Sequence, residues 1–307
     1  MDSYSIGVDL GGTNLRVAAM SEDGTILQRH AVSTPAHSGA EAIVDAIAGG
    51  VSSVRGQISG RNLVGVGIGV PGFILMESGQ IVGSANLPAL DGYPVRAAIE
   101  KQIGAPIILE NDANAAALGE YWMGAGRNAK DLVMLTLGTG VGGGIIVDGR
   151  VLHGYLGMAG ELGHLTVSPN GYPCGCGNAG CLEKYASATA VSAMARLMNL
   201  GDNLTSQQVS ELALGGNERA TRVFETMGTA LGTSLAGLVN IFNFPLYLLG
   251  GGVTAAWDLF APSMLAEATR RSLTFRSHPP EVKRATLGGD AGLFGAAYLP
   301  LQAAAAR

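Results

Sequence analysis

Two segments of this chain share one pattern, and that repeat most restricts the folds open to it. Residues 4–10 (Y-S-I-G-V-D-L) make an apolar β run, Gly11, Gly12 and Thr13 a tight turn, and residues 14–20 a returning run. Residues 132–147 (L-V-M-L-T-L-G-T-G-V-G-G-G-I-I-V) again give strand, glycine-rich turn and strand, closed by Asp148-Gly149. About 130 residues separate the hairpins, which predicts two halves of related architecture.

The remaining elements agree with that division. Asp23-Gly24 signals a hairpin into a strand over 26–33. Ser38 with Glu41 three residues later reads as a capping box for a helix carrying Ile43, Val44, Ile47, Val51, Val54 and Ile58 at helical spacing. A strand over 63–70 ends at Pro71-Gly72. A short helix spans 94–103, with Pro94 in its first turn. A strand over 106–109 runs into Glu110-Asn111-Asp112 and an alanine-rich helix ending at Met123. Helices dominate 186–242. A strand over 244–249 ends in Gly250-Gly251-Gly252, and a helix near 257–272, a strand near 281–287 and a helix over 290–304 close the chain. Strands alternating with helices predict an α/β protein. With no Pro- or Ser-rich linker, the boundary is a chain crossing, placed near 113–119. This gives an N-terminal α/β domain over 1–115, to which the last helix (290–307) returns, and a larger α/β domain over 116–289.

The three cysteines, Cys174, Cys176 and Cys181, fall within eight residues, and His164 stands ten positions before the first. Four such ligands from one loop suit a closed tetrahedral zinc site. A disulfide is the alternative, but Cys174 and Cys176 are too close for an easy bridge, and pairing two of three leaves one over. With no open position the metal would be structural, fixing the loop that carries Glu161, His164 and Glu183. Chemistry is then expected beside the zinc. One ring nitrogen of His164 could take zinc while the other meets substrate.

Asp9 ends a strand and precedes a turn of exposed amides, Gly11, Gly12, Thr13 and Asn14. Such a turn can cradle phosphate while the acid holds hydrated Mg²⁺. The stretch from Leu137 to Gly144 (L-G-T-G-V-G-G-G) offers a second such turn, with Gly138, Thr139 and Gly140 as its candidate nucleotide contacts. Most glycine turns simply close hairpins, but two of them, each after a β run and one preceded by Asp, favour a nucleotide. The two lie in separate halves, so the nucleotide is expected to engage both domains. Neither is a Walker loop. Gly251 and Gly252 before a helix form a third close-approach turn, able to flank adenosine or simply to join strand to helix. Asp112 opens a helix directly after a strand. It reads as an N-cap, and also as a carboxylate able to accept a hydroxyl proton as that oxygen attacks a γ-phosphate. Asn86, Asn111, Glu161, His164 and Glu183 supply groups that hold polyhydroxyl compounds.

A net charge of −5 without a basic tract argues against nucleic-acid binding. No run of 18 apolar residues and no signal-peptide pattern occur, which argues against a membrane. Three unpaired or metal-bound thiols suit a reducing cytoplasm.

Together these motifs resemble the ROK family (repressors, open reading frames and sugar kinases) of the actin-like ATPase (ribonuclease H-like) fold. The carriers are D-L-G-G-T-N at 9–14, V-P-G at 70–72, A-N-L-P at 85–88, E-N-D-A-N-A at 110–115, G-T-G-V-G-G-G at 138–144, E-L-G-H at 161–164 and C-G-C-G-N-A-G-C-L-E at 174–183. The resemblance implies two α/β domains around a cleft, an ATP-dependent hexose kinase similar to bacterial glucokinases, and a homodimer. It implies Asp112 as general base, Gly72, Asn86, Asn111, Glu161, His164 and Glu183 at the sugar, and zinc on His164, Cys174, Cys176 and Cys181. The family often reads N-L-P-G-W where this chain reads Asn86-Leu87-Pro88-Ala89-Leu90, which leaves N-acetylmannosamine, N-acetylglucosamine and fructose beside glucose, and polyphosphate beside ATP. A sugar-sensing repressor would need a DNA-reading module before Asp9, where eight residues stand. A non-catalytic zinc-stabilised interaction protein would leave Asp9, Asp112 and both turns without a role.

Overall fold

The computed structural model describes residues 2–84 and 86–306. Met1, Ala85 of the A-N-L-P motif and Arg307 lie outside the described residues. By internal packing the chain divides into unit 1 (Met1–Asn128, Gly144–Gly160 and Gly289–Arg307) and unit 2 (Ala129–Gly143 and Glu161–Gly288).

Unit 1 opens with strands β1 (Ser3–Leu10), β2 (Asn14–Ser21) and β3 (Ile26–Ser33), then helix α1 (Ala40–Arg55) and strand β4 (Asn62–Val70). A small hairpin, β5 (Phe73–Leu75) and β6 (Gln80–Val82), precedes α2 (Val95–Ile103), β7 (Ile107–Asn111) and α3 (Asp112–Met123). The sheet order is β3-β2-β1-β4-β7. The first three strands are antiparallel, and β4 and β7 run parallel to β1. Strands covered on both faces read as near-continuous apolar runs. One face packs Ile6, Val8, Val66 and Ile68 with Ile43, Ile47 and Val51 of α1. On the other, Ala18 and Met20 pack with Leu293 and Ala297 of the final helix, α10 (Ala291–Ala305).

Unit 2 and the crossing segments hold β8 (Leu132–Leu137), β9 (Val141–Val147), β10 (Arg150–Val151), α4 (Glu183–Ala186), α5 (Ala188–Leu197), α6 (Ser206–Leu214) and α7 (Glu218–Phe242). They are followed by β11 (Leu246–Gly250), α8 (Trp257–Arg271), α9 (Leu273–Ser277) and β12 (Glu281–Arg284). The second sheet has the order β10-β9-β8-β11-β12, and β11 is parallel to β8 and β12. In chain order both sheets therefore read third, second, first, fourth, fifth. The repeat seen in the sequence is a repeat of topology, the actin-like α/β architecture. Among the described residues no helix is long and apolar enough to cross a membrane.

Several local expectations change. The capping box at Ser38 is absent, because α1 starts one residue later on Gly39, with no side-chain cap. That helix ends at Arg55, before Ile58. Pro94 is the N-cap of α2 and not a first-turn residue. The expected boundary at 115/116 falls inside α3, which stays whole in unit 1. The reason is close helix packing: a Cβ on Gly295 of α10 would lie 1.7 Å from the Ala115 carbonyl oxygen, and one on Gly119 2.0 Å from that of Ala291. The alanine run of α3 exists to let these backbones approach. Gly295→Ala is accordingly expected to destabilise the protein by roughly 1–3 kcal/mol, the usual cost of overpacking, read as a lower urea midpoint. An unchanged midpoint would contradict this account of α3.

Candidate active site and metal centre

In unit 1 the chemistry-bearing residues gather at the carboxyl ends of β1, β4 and β7, where open α/β sheets bind ligands. The turn after β1 is closed by Gly11 N–H donating to Asn14 O (2.9 Å) and tied to β3 by Thr34 N–H donating to Thr13 O (2.9 Å). A Cβ on Gly12 would lie 3.4 Å from that of Asn86, an exposed residue, so turn and asparagine are neighbours. Asp9 faces Arg16 across the β1–β2 ladder and forms an ion pair with it. Arg16 also approaches Asp290 (3.7 Å), which Arg29 holds at 2.8 Å. Burial pushes the Asp9 carboxyl up, against the pull of the Arg16 guanidinium. Arg16 was missed in the sequence, although the hairpin register places it opposite Asp9.

β7 runs two residues further than 106–109 predicts and ends on Asn111, and this shift moves the helix cap. Asn111 Oδ1 accepts from Ala113 N (2.9 Å) and Asn114 N (3.2 Å), and its Nδ2 donates to Gly72 O (3.2 Å). Asn111 is therefore the N-cap, and the reading of Asp112 as the cap is corrected: Asp112 is the first helical residue, with Oδ1 accepting from Ala113 N (2.8 Å). Gly72, Asn111 and Asp112 thus form one group beside the first turn. Just behind them lies a pair absent from the sequence reading, the buried Glu110 and the half-buried His153, with Oε2 and Nε2 2.6 Å apart.

In unit 2 the turn between β8 and β9 is closed by Gly138 N–H donating to Gly140 O (2.9 Å). Its carbonyls are held from α5: Ala188 N donates to Gly138 O (2.8 Å), and Thr189 Oγ1 to Thr139 O (2.8 Å). Glu183 Oε2 accepts from Val141 N (3.1 Å), and a Cβ on Gly140 would lie 2.3 Å from that oxygen. After β11, Gly251 (φ 87°) presses on the end of β8, where a Cβ would sit 2.3 Å from Leu137 O; beside Gly252 there is open space. The turns at 138–140 and 251–252 therefore share the carboxyl ends of β8 and β11, the counterpart of the unit 1 arrangement. A cavity of about 470 Å³ opens beside Thr139, lined also by Glu183, Ser187, Thr189 and Arg196.

The metal-type residues come together. One ligand atom from each of His164, Cys174, Cys176 and Cys181 lies within 4.8 Å of all the others. The Cys176 and Cys181 sulfurs are 3.7 Å apart, and Cys174 Sγ is 3.7 Å from His164 Nδ1. Four bonds of about 2.3 Å in a regular tetrahedron subtend edges of about 3.8 Å, so the donor set and its spacing fit zinc. The loop is folded by Cys174 N–H donating to Asn178 O (2.8 Å) and by Asn178 Nδ2 donating to Thr166 Oγ1 (2.8 Å). A hydrogen bond from the Asn178 backbone pulls the exposed Cys176 thiol down, whereas burial pushes the Cys181 thiol up to about 12. His164 turns Nδ1 to the sulfurs, and its Nε2 lies 3.9 Å from Glu161 Oε2. The two ring nitrogens thus face different partners, the cysteine sulfur and the Glu161 carboxylate. Burial pushes the Glu161 carboxyl up; His164 opposes this and the Glu183 charge adds to it, which places all three as neighbours.

The family model described as ROK family matches residues 5–303. The glucokinase of Halalkalibacterium halodurans is 36% identical over 98% of this chain and 96% of the relative. The crystal structure of a ROK hexokinase from Thermus thermophilus superposes with a TM-score of 0.86 at 34% identity, covering 99% of this chain and 100% of that one. A ROK family glucokinase from Streptomyces griseus, solved in complex with glucose and AMPPNP, gives 0.80 at 35% identity, covering 98% and 100%.

Proposed function

The chain belongs to the ROK family, and from that premise we infer that it is an ATP-dependent hexokinase that converts glucose to glucose 6-phosphate. The observation that carries this reading is the group at the carboxyl ends of β1, β4 and β7. There a helix-opening carboxylate, Asp112, stands with Asn111 and Gly72 in the same unit as a phosphate-type turn. The sugar 6-hydroxyl oxygen attacks the γ-phosphorus, the bond from that phosphorus to the ADP oxygen breaks, and Asp112 takes the hydroxyl proton. The products are sugar 6-phosphate and ADP. Asn86, Asn111, Glu161, Glu183 and His164 Nε2 are assigned to the sugar hydroxyls. Backbone amides at 11–14 and 138–140 take the phosphates, and residues 251 and 252 flank the adenosine.

Phosphoryl transfer needs mainly positioning and charge stabilisation. Mg²⁺ supplies much of that stabilisation when bound, with Asp9 as its holder through water, and Asp9 must then share its charge with Arg16. Zinc on His164, Cys174, Cys176 and Cys181 is structural in this reading. The family resemblance favours a homodimer, and the reduced thiols a cytoplasmic setting. A steady-state screen of glucose, N-acetylmannosamine, N-acetylglucosamine and fructose, each with ATP and with polyphosphate, tests it. Glucose with ATP is expected to give the highest kcat/KM. Absence of turnover with every hexose would overturn the kinase reading, and a clear preference for another sugar would replace glucose.

A further inference from the structure

We propose that His153 is a positioning residue for this reaction: by holding one oxygen of Glu110 it fixes the backbone and side chains on both sides of Asp112. The proposal rests on the assignment of Asp112 as base. Glu110 is 2% exposed, and each of its oxygens has a separate task. Oε1 accepts from Asn111 N (2.9 Å) and from Asn114 Nδ2 (3.0 Å), so one atom braces the residue before Asp112 and the residue two after it. Oε2 lies 2.6 Å from His153 Nε2. Asn114 is equally buried, and its Oδ1 has no hydrogen-bond partner among the described residues. Its amide bond to Glu110 is therefore what orients that side chain.

A buried carboxylate is tolerated only when its lone pairs are filled and its charge is matched. Asn111 and Asn114 fill Oε1 with neutral donors, and His153 alone in this network can bring a positive charge. The hydrogen bond that His153 donates to Glu110, helped by the carboxylate charge, raises the His153 pKa above the usual histidine value, against the opposing effect of burial. Take His153 away and Glu110 loses the partner of Oε2. Water then enters, a proton is taken up, or the carboxylate rotates, and each of these disturbs the two bonds at Oε1. The histidine is itself well anchored. Its carbonyl accepts from Ala159 N (3.1 Å), closing a loop that Gly157 packs against Ile74 O. Among the described residues the hydrogen bonds of His153 reach Glu110 and Ala159 and none of the residues assigned to sugar or nucleotide, so its action on the reaction goes through Glu110.

The experiment compares His153→Leu, which removes the donor, with His153→Gln, which keeps an N–H able to reach the same oxygen, each alone and combined with Asp112→Asn. The readouts are kcat, KM for glucose and for ATP, glucose affinity by calorimetry, and melting temperature. His153→Leu is expected to lower kcat by on the order of 10–10²-fold, the size of effect that a small misplacement of a reacting group produces, with glucose affinity within about threefold of wild type. His153→Gln is expected to recover most of the lost kcat. In the Asp112→Asn background the leucine change is expected to add no further loss, because there is no base left to misplace. Should the leucine variant not fold, His153→Met supplies the donor-free comparison. Wild-type kcat in the donor-free variant overturns the proposal. So does an equal loss in the Asp112→Asn background, or a loss of kcat matched by loss of sugar affinity. Asp112→Asn alone reads on the base assignment: if it retains wild-type kcat, that assignment fails, whereas its expected loss beside an undiminished His153→Leu overturns only the positioning role.

Discussion

Asp112→Asn is expected to lower kcat for glucose phosphorylation by on the order of 10²–10⁴-fold, the usual size of a lost general base. A sugar hydroxyl is a weak nucleophile at neutral pH, and its proton becomes acidic only as the bond to phosphorus forms. An amide in place of the carboxylate can still meet the hydroxyl but cannot take that proton, so glucose affinity by calorimetry is expected to stay within about threefold of wild type. The helix itself is expected to survive the change. Its cap bonds come from Asn111, and the bond that Asp112 Oδ1 accepts from Ala113 N can be accepted equally by an asparagine oxygen. What is lost is a first-turn negative charge, worth about 0.3–1 kcal/mol against the helix dipole. The fall in kcat therefore cannot be an unfolding effect, and a melting curve checks that directly. Retention of near wild-type kcat would remove Asp112 from the mechanism and leave it a first-turn carboxylate with no chemical role.

The residues that were legible in the sequence are those whose signal is local. The hairpins β1–β2 and β8–β9 announce themselves by an apolar run, glycines and a second apolar run; β1 and β2 begin and end within a residue of expectation, whereas β9 opens at Val141, inside the stretch read as turn. The ligands of the metal loop are equally local, within 18 residues from His164 to Cys181. Failures occur where the answer depends on where a strand stops or on what lies across the fold. Asn111 and Asp112 are both good caps, and only the two extra residues of β7 decide between them. Ser38 has cap chemistry but stands one residue too early. Strands β5 and β6 are three residues each, too short for a period to be read. Glu110 and His153 are 43 residues apart, with no pattern linking them, and the Asp9–Arg16 pair needs the hairpin register before it can be seen. The alanine and glycine positions of α3 and α10 look featureless in sequence because their function is to be small.

Cys176→Ala is expected to abolish zinc binding and to lower the melting temperature by most of what Cys181→Ala does. The large effect at the exposed residue is the informative part. Cys181 is fully buried, so its loss would harm the protein through packing alone, with or without a metal. Cys176 is exposed, and a surface substitution away from any special feature changes stability by no more than about 0.5 kcal/mol. Only a shared ligand role gives the exposed residue an effect comparable to that of the buried one. Closed zinc sites contribute binding energy directly to folding, roughly 10–16 kcal/mol in isolated zinc-finger peptides. In a chain of this size, loss of zinc is expected to free the loop around 164–181, leaving both sheets folded. The same loop carries Glu161 and His164 and delivers Glu183 to Val141 N two residues after Cys181, so activity is expected to fall with the metal. Metal analysis of the wild type is expected to give about one zinc per chain, the content of a single four-ligand site. Cobalt substitution is expected to give the visible spectrum of a tetrahedral, thiolate-rich site, a readout independent of turnover. A purified wild type free of zinc yet folded and fully active would overturn the assignment, as would a Cys176→Ala variant that melts like the wild type while Cys181→Ala does not.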